Sequence, residues 1–391
     1  MILTKNIKFK DFKIKSSSKK IKNYLAKLLE SENEILKSLN KSYKDSYLKK
    51  DLKRFNKYSD VVLIGMGGSI LGARSIYNFL KHKIKKNFFF IDNFEINKIN
   101  KINKISSTKR LNIIISKSGN TLETILNSNI LTGRKTQNIF LTENKKSYLR
   151  SLAEVLKSDI ISHNNYIGGR YSVLSEVGML PADLMGLSKN KFRNLNELIK
   201  NKNFTSSLIN SVSNILSFSN KNKFNSIILN YDQKSNDLFY WYQQLVAESL
   251  GKKNKGIMPI ISNMPQDNHS LMQFYLDGKK NNFFTFFFAK ENLSKKVKNK
   301  NLLNSHFFLK NRNLENILEA QYNATQNVFI KKKIPFRSFF IKKKNEQTLG
   351  ELFTYFILET ILLGKALNVN PYDQPSVELI KVDTKKILTN Y

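Results

Sequence analysis

Apolar residues in this chain gather in short runs separated by polar, helix-like stretches. The first series is Val61–Ile64, Phe88–Ile91, Asn112–Ile115 and Ile139–Leu141. Runs of strand length, bounded by turns and alternating with a helical period, predict βαβ units and a parallel sheet covered on both faces. A polar, helical stretch near residues 190–220 follows, and then a second series: Ile227–Leu229, Ile257–Ile261, Phe283–Phe288 and Phe336–Ile341. The same architecture is thus expected twice, without repetition of the sequence itself. Residues 1–58 read as polar and Lys-rich, with a helix between about Ile21 and Leu39. The last long helix is expected over about Glu346–Leu367. It is apolar at Leu352, Phe353, Phe356, Ile357 and Leu363, which predicts packing between domains or subunits, and Asn370-Pro371 ends it.

The expected class is α/β, each domain a three-layer αβα arrangement. The divisions fall at 1–50 for a helical extension, 51–190 for the first domain, and 191–391 for the second domain with its helix and tail. A length of 391 residues suits two such cores.

Charge alters this picture little. The formal net charge is +36, an excess that would suit nucleic acid or an acidic membrane. The surplus is Lys rather than Arg, however, and it is scattered through almost every segment together with Asn, Ile and Phe. A binding footprint is normally clustered. The compositional reading is therefore preferred, with no nucleic-acid partner expected, although the charge would steer an anionic substrate. There is no cysteine, which excludes disulfides, thiol catalysis and thiolate metal sites. The first residues lack the apolar core of a signal peptide, and the longest apolar run, Phe283–Ala289, is too short to span a bilayer. A cytoplasmic protein is expected.

Candidate chemistry begins at Ser116-Lys117-Ser118-Gly119-Asn120-Thr121, directly after the third run and before the helical stretch Leu122–Leu126. Hydroxyls and free N–H groups at a helix N-terminus hold a phosphate well. A second turn, Gly65-Met66-Gly67-Gly68-Ser69-Ile70-Leu71-Gly72, follows the first run. A dinucleotide fingerprint is its rival reading, with Asp92 as the ribose-binding acid, but that spacing needs glycine at position 70, which is Ile70. A plain strand–helix turn would explain it too. Gln244 and Glu248 share one helical face in Gln243–Lys252, where a carboxylate could serve as a general base or merely be solvated. His269 follows a strand in Gln266–Gln273, as a ligand group or a simple loop histidine. Arg170 sits in Gly168-Gly169-Arg170-Tyr171-Ser172, suited to an oxyanion or to nothing more than a turn. The stretch Asn370–Lys381 carries Gln374 and Lys381.

Taken in chain order, these stretches resemble the phosphoglucose isomerase (glucose-6-phosphate isomerase) family. Its patterns G-I-G-G-S-x-L-G, S-K-[ST]-x-x-T-x-E, G-G-R-[FY]-S, Q-x-x-x-E-S-x-G-K, a histidine followed by serine, and D-Q-x-x-V-E-x-x-K all find counterparts between residues 65 and 381. With Pro375 after Asp373-Gln374, the chain looks like the compact bacterial branch. Ser376 and Ile380 depart from the family pattern, and S-K-S-G-x-T also occurs in sugar-isomerase domains of other activities.

The resemblance implies two sugar-isomerase (SIS-type) domains in a homodimer, with the active site at the subunit interface and the histidine supplied by the neighbour. It implies a sugar-phosphate substrate, no metal, no other cofactor and no membrane. It implies phosphate binding at Gly68, Ser69, Ser116, Lys117, Ser118 and Thr121. By the same resemblance Glu248 is the base that moves a proton between C2 and C1 through a cis-enediol(ate), Arg170 stabilises the intermediate, His269 and Lys381 assist ring opening, and Gln244 and Gln374 contact substrate. The residue types suit that chemistry, because one carboxylate can remove and return the proton from a single position. The expected activity is interconversion of glucose 6-phosphate and fructose 6-phosphate. The alternatives are a dual phosphoglucose/phosphomannose isomerase and a non-catalytic sugar-phosphate-binding regulator, against which Glu248 and Lys381 argue.

Overall fold

The computed structural model describes residues 1–12, 19–291 and 295–390, apart from the side chain of Glu378. The strands are β1 (Ile2–Thr4), β2 (Ile7–Lys10), β3 (Asp60–Gly65), β4 (Asn87–Ile91), β5 (Arg110–Ile115), β6 (Gln137–Thr142), β7 (Asp159–Ser162), β8 (Asn225–Asn230), β9 (Met258–Asn263), β10 (Asn282–Ala289) and β11 (Phe336–Ile341). They form two sheets. The first is five-stranded in the order β4-β3-β5-β6-β7, parallel throughout. The second is six-stranded in the order β1-β2-β11-β10-β8-β9.

Every apolar run of the two series becomes a strand; most carry residues buried on both faces, whereas the edge strand β9 is only partly buried and exposes Met258. The second sheet is mixed rather than purely parallel. Its strands β8 to β11 are parallel, but β2 pairs antiparallel with β11, and β1 pairs antiparallel with β2. Ile7 and Phe9 point inward while Lys8 points to solvent, so this strand is half-buried and alternates. Two short strands embedded in a lysine-rich stretch leave almost no periodic signal. β7 is equally silent, since its four residues have no fully buried member. The expected helix from Ile21 to Leu39 is two helices, Lys19–Glu30 and Glu34–Ser38. They are divided where the Asn33 side chain accepts from the Ile35 N–H at 2.8 Å and caps the second.

Between the sheets lies one continuous core. It joins Val61, Leu63 and Ile113 of the first sheet to Phe283, Phe287 and Phe339 of the second. The helices Leu71–Phe79, Glu176–Leu184, Asn236–Leu250 and Glu346–Leu367 fill the space between. Separate clusters cover the outer faces: Val62, Ile64 and Phe140 with Ile99, Leu131 and Leu149 on the first sheet, and Phe284, Phe286 and Phe288 with Tyr322 and Phe329 on the second. The helix Glu346–Leu367 is buried along almost its whole length within this single chain. Its Glu359 pairs with Arg337 of β11 and accepts from the Tyr242 hydroxyl at 3.0 Å, which fixes the helix Asn236–Leu250 to the second sheet. Among the described residues no helix is long and apolar enough to cross a membrane.

Candidate active site

In a parallel sheet the loops leaving the strand C-termini gather at one edge. β3 and β5 are neighbours, with Gly65 opposite Ile115, so the turns that follow them emerge side by side. The first runs through Gly67–Ser69. The second is Ser116–Thr121, and it leads into the helix Leu122–Leu131, with Thr121 at its cap position. Across this turn the Ser116 and Thr121 hydroxyls lie 2.9 Å apart. The Gly119 N–H returns to the Ser116 carbonyl at 3.1 Å, and the Leu149 N–H binds the Gly119 carbonyl at 3.0 Å. Ser118 lies exposed at the rim. Lys117 leans sideways: its ammonium donates to the Asn165 carbonyl at 2.8 Å and stands 3.6 Å from Glu143. This is a cradle of small hydroxyls and backbone, flanked by one cation.

The glycines of the first turn serve contact with the rest of the chain. A Cβ at Gly68 would fall 2.1 Å from the carbonyl carbon of Gly169. One at Gly67, where φ is +50°, would fall 2.6 Å from the Gln244 amide nitrogen. Asp92 is engaged by Arg74 at 2.5 Å, and Arg74 also binds Asp237 at 2.6 Å. The turn and the acid are therefore both accounted for without a dinucleotide.

Close backbone approach brings the turn of Ser69 against the turn of Arg170. That arginine is the centre of the site. Its side chain is only 2% exposed, against 24% for Glu248. Its Nε donates to the Ser249 hydroxyl at 2.7 Å. Its Nη1 donates to Glu248 Oε1 at 3.1 Å and to the Gln374 amide oxygen at 2.8 Å. Its Nη2 donates to the carbonyls of Pro371 at 2.8 Å and Asp373 at 3.1 Å. All five N–H groups of the guanidinium are thereby directed, which a lysine could not reproduce. Glu248 receives a second donor, the Gln244 amide, on Oε2 at 3.0 Å. The four-residue spacing places both on one face of the helix Asn236–Leu250. The carboxylate is thus held from both sides while remaining partly open to solvent.

Further residues complete the support. Tyr171 donates to the Pro371 carbonyl at 3.0 Å; burial pushes its hydroxyl up to about 12, so it stays a donor. Lys252 reaches Asp373 at 2.7 Å, and this hydrogen bond holds the Asp373 carboxyl below its ordinary range. Ser249, Tyr171, Lys252 and Asp373 had no role in the reading of the sequence. The available signal was adjacency, since each stands within four residues of Glu248, Arg170 or Gln374.

Of the residues expected from sequence, Arg170, Gln244, Glu248 and Gln374 form one hydrogen-bonded cluster. Gly68 touches it through the backbone of Gly169, and Ser69, Ser116 and Thr121 sit on the adjoining turns. His269 does not join them. It is exposed after the turn Gln266–Asn268 beyond β9, and its imidazole makes no hydrogen bond or ion pair among the described residues. Lys381 is exposed on the C-terminal helix Val377–Thr389.

Comparison with known proteins identifies the family and the fold. The family model described as Phosphoglucose isomerase matches residues 49–391. The glucose-6-phosphate isomerase of Methanocaldococcus jannaschii is 32% identical over 341 residues, covering 83% of each chain. That of Mycoplasmopsis pulmonis is 31% identical over 360 residues, covering 84% of this chain and 82% of its own. A crystal structure of a hypothetical protein from Thermus thermophilus shares the fold with a TM-score of 0.83 at 24% identity, over 95% of this chain and 94% of that one. A glucose-6-phosphate isomerase structure from Chlamydia trachomatis superposes with a TM-score of 0.72 at 18% identity, over 87% of this chain and 72% of that one. The chain belongs to the phosphoglucose isomerase family.

Proposed function

We propose that this chain interconverts glucose 6-phosphate and fructose 6-phosphate with Glu248 as the single base. The observation that carries this reading is the posture of Glu248, with one oxygen on Gln244 and the other on Arg170. In the aldose-to-ketose direction Glu248 takes the proton from C2, and the C2 electrons form the C1–C2 double bond of a cis-enediolate as negative charge develops on O1. The protonated carboxyl, 24% exposed and so able to exchange its proton with solvent during the lifetime of the intermediate, returns a proton to C1, while the O2 proton passes to O1 and leaves a carbonyl at C2. The Nη1 edge of Arg170 stands beside the carboxylate and supplies fixed positive charge to the intermediate. Ser69, Ser116, Ser118 and Thr121 anchor the phosphate with backbone N–H groups, and Lys117 adds charge from the side. This fixes C1 and C2 relative to the base.

Ring opening of the cyclic sugar falls to His269 and Lys381. His269 is exposed and makes no hydrogen bond to the Glu248 cluster among the described residues, and the C-terminal helix exposes Leu379, Ile380, Val382 and Ile387 by half or more. Both observations support a homodimer in which a neighbouring copy covers the helix and supplies His269 to the site. A cytoplasmic location suits the substrate.

A coupled assay on fructose 6-phosphate tests the reading. Wild type turns over, and Glu248→Gln loses about 10²–10⁴-fold in kcat with binding largely kept. An inactive wild type, or a fully active Glu248→Gln, refutes it. Turnover of mannose 6-phosphate in the same assay would favour the dual-specificity alternative.

A further inference from the structure

We infer that Lys252 is a positioning residue that straps the tail bearing Gln374 to the helix bearing the base. This rests on the isomerase reading above. Lys252 lies just beyond the helix Asn236–Leu250, four residues after Glu248. Its ammonium stands 2.7 Å from Asp373 Oδ1 and also donates to the Asn370 carbonyl. Its side chain is only 13% exposed, although the chain carries 66 lysines and arginines that are mostly solvated. The Asn370 amide binds the other oxygen of Asp373 at 3.0 Å, so the carboxylate is held on both sides.

From there the contact runs directly to the chemistry. The Asp373 carbonyl accepts from Arg170 Nη2 at 3.1 Å, and the next residue, Gln374, accepts from Arg170 Nη1 at 2.8 Å. That same Nη1 faces Glu248. Lys252 therefore closes a loop: base helix, tail, guanidinium, base. Helix Glu346–Leu367 turns into this tail through Asn368 in the left-handed region, and Asn370–Gln374 belong to no helix or strand among the described residues. Side-chain ties must then set its position. A half-exposed ion pair contributes little to stability, whereas a displacement of about 1 Å at a reacting centre can cost about 100-fold in rate. The effect of breaking the strap belongs in kcat rather than in thermal stability.

The test measures kcat, KM and Tm for Lys252→Met, Lys252→Arg, Asp373→Ala and the Lys252→Met/Asp373→Ala pair, using the full chain and fructose 6-phosphate. Lys252→Met is expected to lower kcat by about 10-fold or more, with KM within about 2-fold and Tm unchanged. Lys252→Arg, which keeps the charge and adds donors, retains most of the rate. Asp373→Ala matches Lys252→Met, and the pair is no worse than either single change, because one contact is lost only once. Asp373 is 53% exposed, so its variant keeps the test decisive even where Lys252→Met folds poorly. Wild-type kcat in both single variants, or losses that multiply in the pair, would overturn the strap and leave the isomerase reading standing. An inactive wild type would refute the isomerase reading itself.

Discussion

At one end of the site, Ser116 and Thr121 face each other across five residues of one turn; at the other, Arg170 meets Glu248 and Gln374 across 78 and 204 residues. The proposed phosphate end is local. A strand stops, a short turn collects hydroxyls, and a helix begins with its N–H groups free. Everything it needs is in one stretch of chain. The chemical end is assembled from three distant segments, and its positions depend on long side chains, a close approach of Gly68 to Gly169, and a tail tied down by Arg170, Tyr171 and Lys252. Binding an anion tolerates some slack, since backbone dipoles and scattered charge act over several ångströms. Moving a proton between adjacent carbons does not.

If that contrast is right, damage at the chemical end should appear in kcat and damage at the cradle in KM. Beyond the base itself, the largest effect is expected at Arg170. Arg170→Lys keeps the charge but loses the fork that serves Ser249, Glu248, Gln374 and the tail carbonyls. Steady-state assays should show kcat lower by about 10²–10³-fold. A loss under about 10-fold would mean that the Nη1 edge is not used in the reaction.

A second test concerns the foundation beneath the cradle. His163 is buried after β7, donates from Nδ1 to the Asn164 carbonyl at 2.9 Å, and stands near Lys117, Glu143 and Glu176. Burial first, and then the Lys117 charge, push its imidazole down from 6.5 to about 4. Between those values the unfolded chain binds a proton that the folded chain refuses, so stability falls as pH is lowered from 6.5 toward 4. The full difference is about 3 kcal/mol. In His163→Gln, urea unfolding across this window should lack that component, narrowing the gap to wild type as the pH drops. Parallel pH profiles would contradict it.

The smallest effect is expected within the cradle itself. Thr121→Val removes one neutral hydroxyl and should raise KM by about 2- to 10-fold with kcat nearly unchanged. A large fall in kcat instead would erase the distinction between the two ends.

The same contrast explains what could be read from sequence. The eight apolar runs became strands, the central ones because burial on both faces leaves an unbroken run, and Ser116–Thr121 announced itself because strand, turn and helix signals are contiguous. β1, β2 and β7 escaped because half-buried strands of three or four residues carry too little pattern to stand out among lysines. The chemical end was legible only through resemblance. Nothing in the local sequence of Gly168–Ser172 indicates that its arginine lies beside residues 248, 371 and 374, since the fold alone brings them together. Ser249, Tyr171 and Lys252 went unassigned because their roles are to hold other groups, and such roles exist only in three dimensions.

The central claim is that Glu248 itself carries the proton between C2 and C1. The most direct measurement is exchange of solvent deuterium into the sugar, followed by proton NMR of fructose 6-phosphate incubated in ²H₂O with wild type and with Glu248→Gln. The account predicts that wild type washes label into C1 of fructose 6-phosphate and C2 of glucose 6-phosphate, and that Glu248→Gln leaves both positions protonated over the same period. Exchange in the variant at a rate near that of wild type would show that another group moves the proton.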